Sequence, residues 1–455
     1  MIAPDYLYNE AKECRCCGST DLYPYLNLLN QPLANSYHKR RQSEGIKDAE
    51  IEEYPLVVNL CKSCFHSQLS IVVDPDTMFS HYLYVSGTTE TFRKHCQELA
   101  QNAVCRWTKD LIKDVSQWVA DSEFNSKDDC RWKTGEKNTP KVLDVACNDG
   151  TLLEQFRKLG CDVHGVDPSV NLRVLTLDKD IPVEVDFWGK RVAEYIGKVD
   201  IITATNVFAH VDDVEDFLNT CKIALNPDGF AVIEFPYCKD MIAKNEFDTV
   251  YHEHLSYFLV NSFSTLSRRC GFQIMDVILT PIHGTSIRFI IRPSDEPDCD
   301  LVKELIQKEK DNGMLNVQTY EDFAQRVYIN KVVFSDEVRK YRHTHGIVGF
   351  GASAKGNTML NFFNLHLDYV VDNNDLKWDH LTPGMNVAIV SPEHMKNDPR
   401  PLAIVIMSWN FAKEIIKKIE ALRPGKKDIV LLYVPETRAL ELPLTDESAV
   451  SSISG

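Results

Sequence analysis

The chain has 455 residues, 44% of them hydrophobic and 25% charged, and a net charge of −16. That length allows two or three domains with ample cores, and the acidic balance argues against a nucleic-acid binder, which would carry a basic field. No apolar run approaches the roughly 18 residues of a membrane span, MIAPDYLYNEAKE lacks a basic-then-apolar leader, and fourteen cysteines without such a leader read as reduced thiols of a cytoplasmic protein.

The first element in chain order is a pair of cysteine motifs. CRCCGS supplies Cys14 and Cys17, and NLCKSC supplies Cys61 and Cys64. Two Cys-x-x-Cys pairs suit a tetrahedral four-thiolate zinc knuckle, because each turn brings two sulfurs to about 2.3 Å from one ion. The long gap between the pairs makes 18–60 a subdomain, and Cys16 is a spare thiol. Buried or redox thiols are the bland alternative. Residues 90–120 then show helical spacing, and KDDCRWKTGEKNTP (127–140) reads as a polar linker.

Beyond it the texture changes to strand–turn–helix units. KVLDVACNDGTLLEQFRKLG reads as a strand, a turn at Asn148-Asp149-Gly150 and a helix. DVHGVDPS, KVDIITATNVFAHV and GFAVIEFP read as further strands. This alternation predicts a parallel sheet with ligands at the strand C-termini. Asp144 lies beside the first turn, Asp167 ends the second strand where it can accept hydrogen bonds from ribose hydroxyls, and Asp186 in VEVDFW is placed to hold an adenine. The first turn lacks GxGxxG, so it offers little bare backbone to a pyrophosphate. S-adenosylmethionine, a sulfonium with an amino-acid tail and no phosphate, fits better. An unrelated doubly wound fold with acidic loop ends is the alternative.

VYHEHLSYF (250–258) follows. Its histidines at i and i+2 lack the His-Glu-x-x-His spacing of helical zinc sites. A proton-transfer loop, a metal site and a purely structural loop are the readings weighed, and the first is favoured. His210 in NVFAH and His283 in PIHGTSIR are ordinary turn or core histidines when taken alone. Residues 300–345 have the pattern of one or two connecting helices. HGIVGFGASAKGNTMLNFF reads as strand, glycine turn and helix. Gly349-x-Gly351-x-x-Ala354 resembles a dinucleotide fingerprint, Asp372 ends the next strand, and Lys355 adds a point charge. A glycine turn without a ligand is the alternative. The serine-rich tail after Pro435 reads as disordered at its end.

The order of these motifs, from the cysteine pairs through VLDVACNDGTLL, NVFAHVDD, DTVYHEHLSYF, PIHGTSIR and GFGASAKGNT, resembles the three-domain sugar C-methyltransferases. These methylate C3 of nucleotide-linked 4-keto deoxysugars. The resemblance covers nearly the whole chain, with Thr285 standing where the family has a glycine. It implies a zinc-binding domain over 1–90, a Rossmann-like class I methyltransferase domain over 91–292, and a second Rossmann-like α/β domain over 293–455. It implies a catalytic set of His254 as base with Glu253, Tyr251, His210 and Tyr84, the last preferred over Tyr82. Asp144, Asn148, Gly150, Asp167, Asp186 and Asn206 would hold S-adenosylmethionine. Gly349, Gly351, Lys355 and Asp372 would hold the sugar's nucleotide, with dTDP the expected carrier. An NAD-dependent sugar-nucleotide oxidoreductase and a non-catalytic zinc-bearing binding protein are the competing functions.

Overall fold

The computed structural model describes residues 7–39, 52–79, 85–111, 139–282 and 284–444. Tyr82, Tyr84, His283 and all but the last two residues of the 127–140 stretch lie outside the described residues.

The N-terminal part is an antiparallel sheet of β1 (Leu22–Gln31), β2 (Tyr54–Cys61) and β3 (Ser67–Leu69). β2 reads YPLVVNLC and alternates buried with half-buried positions, the period of a strand with one face on a core. The cysteine pairs flank this sheet. The sulfurs of Cys14, Cys17, Cys61 and Cys64 all lie within 4.8 Å of one another, with Cys14 and Cys64 at 3.5 Å and Cys17 and Cys61 at 3.6 Å. A tetrahedron with zinc–sulfur bonds of about 2.3 Å has edges near 3.8 Å, so the four thiols fit a zinc ion. Cys16 is buried outside this quartet. Among the described residues twelve cysteines are free thiols. Cys105 departs from the expectation of reduced thiols and is disulfide-bonded.

The middle part begins with helix α1 (Glu90–Leu111). Its seven strands are β4 (Lys141–Val145), β5 (Asp162–Val166), β6 (Val183–Glu184), β7 (Val199–Thr205), β8 (Leu225–Pro236), β10 (Phe272–Thr280) and β11 (Ser286–Pro293), in the order β10-β11-β8-β7-β4-β5-β6. The short β9 (Ser256–Tyr257) lies in another sheet, discussed below. Relabelled by their sequence within this sheet, the strands run 3-2-1-4-5-7-6, and only β11 is antiparallel to its neighbours. The four C-terminal residues of β4 are buried, as expected of a central strand covered on both faces. Helix α2 (Thr151–Lys158) follows the first turn, with Glu154 in its first turn and Arg157 and Lys158 in its last, matching the helix dipole. Helix α3 (Val260–Arg269) follows β9.

Helices α4 (Asp300–Asp311) and α5 (Val317–Tyr341) connect to the C-terminal part, agreeing with the helical pattern of 300–345. There β12 (Gly346–Phe350), β13 (Val370–Val371), β14 (Ile389–Val390), β15 (Leu402–Ile406), β16 (Ile429–Leu432) and β17 (Arg438–Glu441) form a sheet ordered β14-β13-β12-β15-β16-β17. All but β17 are parallel. Helix α6 (Ala354–Phe363) leaves the glycine turn, its N-cap Ser353 accepting from the Gly356 amide at 3.1 Å.

The parts are interlocked. β9 belongs to the chain between β8 and β10, yet it pairs with β3 of the N-terminal sheet through Ser256–Gln68 and Tyr257–Ser67. His38–Lys39 likewise pairs with His380–Leu381. Phe208, fully buried, contacts Phe217, Phe235, Phe258 and Phe263 with ring centroids 5.2–6.1 Å apart. This aromatic cluster lies directly beneath NVFAH and β9.

Phe208→Ala is expected to destabilise the protein by about 3–5 kcal/mol, the usual result of emptying a rigid aromatic core, read as a lower denaturant midpoint at constant m-value. Cys61→Ser is expected to reduce bound zinc from one ion per chain to none and to lower the melting temperature, since metal binding contributes directly to folding. Elemental analysis and thermal unfolding measure the two effects, and an unchanged zinc content would remove the knuckle.

Candidate active site

One cavity of about 860 Å³ opens at the C-terminal ends of both parallel sheets, the place where doubly wound folds bind ligands. Its walls include Asp144, Asn148, Asp167, Asp186, Asn206, His210, Tyr251 and His254 from the middle part. Gly351, Lys355 and Asp372 join them from the C-terminal part. The cavity therefore gathers eleven of the residues expected from the sequence.

One half of the cavity is built on the first two strand ends of the middle part. Asp167 accepts from the Asn148 amide at 2.8 Å through Oδ2 and from the Ser169 amide at 2.9 Å through Oδ1. These bonds fix the first turn, where Ala146, Asn148 and Gly150 all have positive φ. Each carboxylate oxygen retains a second lone pair for a ligand hydroxyl. Asn148 Oδ1 accepts from the Ser86 amide at 2.9 Å, which brings the stretch before α1 over the turn. Asp144 is buried and accepts from Thr203 Oγ1 at 2.6 Å. Burial nevertheless pushes its carboxyl up to about 7. Asp186 pairs with Arg191 and accepts from the Phe187 amide. Asn206 has φ 56°, and its amide donates to the Glu234 carbonyl at 2.8 Å. Gly150 does not line the cavity. It is the left-handed N-cap of α2, where a Cβ would meet Ile181 at 2.8 Å, so its place is in the turn's packing.

VYHEH owes its layout to a turn. The His254 amide donates to the Tyr251 carbonyl at 2.9 Å. Such a turn brings residues i and i+3 together while the two corner residues project elsewhere. Tyr251 and His254 accordingly stack, with ring centroids 4.0 Å apart, and both face the cavity. The corner residue His252 is buried against Tyr54 and the Pro55 carbonyl. The two histidines thus serve different surroundings, and among the described residues the four-cysteine quartet is the group able to hold a metal.

Glu253, the other corner, requires a correction. It is buried, does not line the cavity, and accepts from Asn35 Nδ2 at 2.7 Å.

His254 Nδ1 lies 2.7 Å from the Thr249 carbonyl. A carbonyl only accepts, so Nδ1 carries the proton and the neutral ring keeps its lone pair on Nε2. His210 lies 4.9 Å from His254, centroid to centroid, and stacks on Phe79 at 5.8 Å. Burial lowers its pKa to about 4, so its ring stays neutral at physiological pH.

The C-terminal half repeats the same construction. Asp372 accepts from the Ala352 amide and the Asn374 amide, both at 2.8 Å. Gly351 has φ 90° and lines the cavity. Gly349 does not. It sits within β12, where a Cβ would meet Met407 Sδ at 2.5 Å, and this close strand packing corrects its expected phosphate role. Lys355 lines the cavity with Nζ 4.5 Å from the Trp409 ring centre.

Three features escaped sequence reasoning. Lys377 is buried in the cavity wall, with Nζ 2.6 Å from the Ala352 carbonyl and 3.8 Å from Asp372. Asn35 lines the cavity from the N-terminal part. Asp248, three residues before Tyr251, accepts from Trp409 Nε1 at 2.7 Å and Tyr433 OH at 2.6 Å, tying this loop to the C-terminal part. Asn35 and Lys377 sit in no motif; Asp248 opens DTVYHEHLSYF, but nothing local to that motif signals its partners, which lie in the C-terminal part.

Three family models match the chain in sequence: a zinc binding domain over residues 14–79, a methyltransferase domain over 109–277, and a C-methyltransferase C-terminal domain over 281–435. Among curated proteins the chain is 29% identical over 444 residues to the C-methyltransferase NovU of Streptomyces niveus, covering 95% of this chain and 98% of NovU. A ubiquinone biosynthesis O-methyltransferase of Rhodopseudomonas palustris is 35% identical over 97 residues, 20% of this chain and 38% of that protein. Among solved structures, magnesium protoporphyrin IX methyltransferase from Synechocystis with bound SAH aligns with TM-score 0.31 and 14% identity, covering 46% of this chain and 90% of that one. A four-cysteine quartet, a 3-2-1-4-5-7-6 sheet and a second α/β unit, matched in order by these three models, show an S-adenosylmethionine-dependent methyltransferase that carries a zinc-binding, a methyltransferase and a C-methyltransferase C-terminal domain and is similar end to end to one C-methyltransferase.

Proposed function

We propose that the protein transfers a methyl group to C3 of a nucleotide-linked 4-keto deoxysugar, dTDP-linked, within branched-chain sugar synthesis in the cytoplasm. The carrying observation is the charge of the shared cavity. Its methyl-donor wall carries Asp144, Asp167 and Asp186, suited to a sulfonium and an ammonium, while both lysines that line the cavity, Lys355 and Lys377, stand on the C-terminal wall beside a glycine turn, among Asp372, Asp375 and Glu414, where they can meet a diphosphate. His254 and Tyr251 line the same space. In this reading the boundaries near 90 and 292 separate zinc-binding, methyl-donor and nucleotide-binding domains.

The chemistry follows from the residues. Carbon methylation needs a carbanion equivalent, and a proton beside a ketone becomes removable when a base takes it as the enolate oxygen is stabilised. Nε2 of His254 takes the C3 proton, and the bonding electrons move into the C3–C4 bond as the keto oxygen gains charge. The Thr249 carbonyl holds Nδ1–H, and the Tyr251 ring face stabilises the imidazolium. Bound S-adenosylmethionine supplies an electrophilic methyl group. Held by Asp144, Asn148, Asp167, Asp186 and Asn206, it would deliver that methyl to C3 and leave as the thioether, and the proton on His254 passes to solvent. Positioning of the two reactants in one cavity supplies much of the rate.

His254→Ala is expected to keep S-adenosylhomocysteine affinity while turnover falls by about 10²–10⁴-fold. Calorimetric titration should show S-adenosylhomocysteine binding, weakened by Asp167→Ala, and no NAD binding. Binding of NAD alone, lost in Gly351→Val, would transfer the chemistry to an oxidoreductase.

Asp144 gives a pH test. Its carboxyl, pushed up to about 7, holds a proton more tightly in the folded than in the unfolded chain. Its contribution to stability is therefore full below the unfolded value of about 4 and is lost as pH rises through the folded value. Melting temperatures of the ligand-free protein should decline across that window, and Asp144→Asn should flatten the decline.

A further inference from the structure

Glu253 has the chemistry of an acid–base residue but stands behind the cavity wall, and the group in front of it is Asn35. Asn35 Nδ2 donates to Glu253 Oε1 at 2.7 Å. A buried carboxylate only accepts, so this bond fixes which way the amide faces. Among the described residues Asn35 makes no other side-chain hydrogen bond, so its carbonyl oxygen and second N–H remain for a ligand in the cavity it lines.

The backbone around Asn35 is pinned on both sides. The Ala34 carbonyl accepts from Asn357 Nδ2 at 2.8 Å, and Tyr37 OH donates to the Ala352 carbonyl at 2.7 Å. Asn357 lies on α6, and Ala352 is in the glycine turn proposed to receive the diphosphate. One short segment is thereby fastened to the nucleotide end of the cavity by its neighbours and to the VYHEH turn by its own side chain. Donation of one N–H to a carboxylate also raises electron density on the amide oxygen, making it a stronger acceptor.

From this geometry we infer that Asn35 accepts a hydrogen bond from the sugar substituent beside the reacting carbon, and that Glu253 acts through Asn35 as a positioning residue. The inference rests on the proposed sugar-nucleotide reading. A substituent held there fixes the ring's rotation about the nucleotide anchor, and so decides which C–H faces His254. Asn35 is then a specificity determinant supplied by the zinc-binding part of the chain.

A double-mutant cycle tests this, with a dTDP-linked 4-keto-6-deoxyhexose as probe and S-adenosylhomocysteine titration as the check on folding. Asn35→Ala should lower kcat/KM by roughly tenfold or more, as for a lost substrate hydrogen bond, with S-adenosylhomocysteine affinity unchanged. Glu253→Ala should lose about as much, and Asn35→Ala/Glu253→Ala no more than either alone. Glu253→Gln, which keeps an acceptor for Nδ2, should recover most of the loss. Asn35→Ser replaces Asn35→Ala if the latter fails to fold. Multiplicative losses in the double variant, or a Glu253→Gln as impaired as Glu253→Ala, would mean that Glu253 meets substrate directly and would overturn the inference alone. Absence of wild-type turnover on the probe, with S-adenosylhomocysteine bound, would overturn the sugar reading and the inference with it.

Discussion

Two residues of antiparallel pairing, Ser256–Tyr257 against Ser67–Gln68, decide where the Tyr251–His254 turn can lie. The Leu69 amide donates to the Leu255 carbonyl at 3.0 Å, and Asn261 Nδ2 donates to the Cys64 carbonyl at 2.9 Å. The downstream end of VYHEH is thus fastened to the sheet that the four cysteines hold in shape. The upstream end is fastened by Asp248 to Trp409 and Tyr433 of the C-terminal part. A turn of four residues held at both ends by different parts of the molecule has little freedom, and the relation of Tyr251 to His254 inherits that rigidity.

The two α/β units solve one problem twice. A turn at the end of the first strand must present amides and side chains to a ligand, and such turns are conformationally costly. In each unit the aspartate ending the second strand accepts one amide from the first turn and one from two residues beyond itself. Asp167 does this with Asn148 and Ser169, and Asp372 with Ala352 and Asn374. What differs is the charge around the turn. The first lies among Asp144, Asp149 and Asp186 with no lysine or arginine lining the cavity nearby, whereas the second has Lys355 and Lys377 beside it as well as Asp375, so one architecture gives the two walls of one cavity different side chains.

Much of this was legible in the sequence, because the signals were local. Buried runs such as KVLDV, helical spacing over 300–345 and the Cys-x-x-Cys pairs each depend on a few neighbouring residues. That Asp144, Asp167 and Asp372 face the cavity was legible because a strand C-terminus fixes their location. Glu253 was misplaced because which members of VYHEH face the ligand depends on a turn, and composition does not reveal its corners. Gly349 was misread because a glycine within a strand and one in the following turn look alike in the fingerprint. Asn35 and Lys377 were invisible because their roles come from contacts to residues hundreds or tens of positions away.

The pairing of distant segments also sets an order of events during synthesis. The wall of the cavity needs Asn35, which is held through Ala34 and Tyr37 by residues 357 and 352, and the Tyr251–His254 turn needs Tyr433. Contacts of such long range form late, after loop closure over most of the chain. A ribosome must therefore release nearly the entire polypeptide before a working site exists. Chains cut short by an early stop or by proteolysis retain the first α/β unit yet lack the contacts of Trp409 and Tyr433 that hold the loop before Tyr251. The topology thus couples completion of the chain to assembly of the cavity wall.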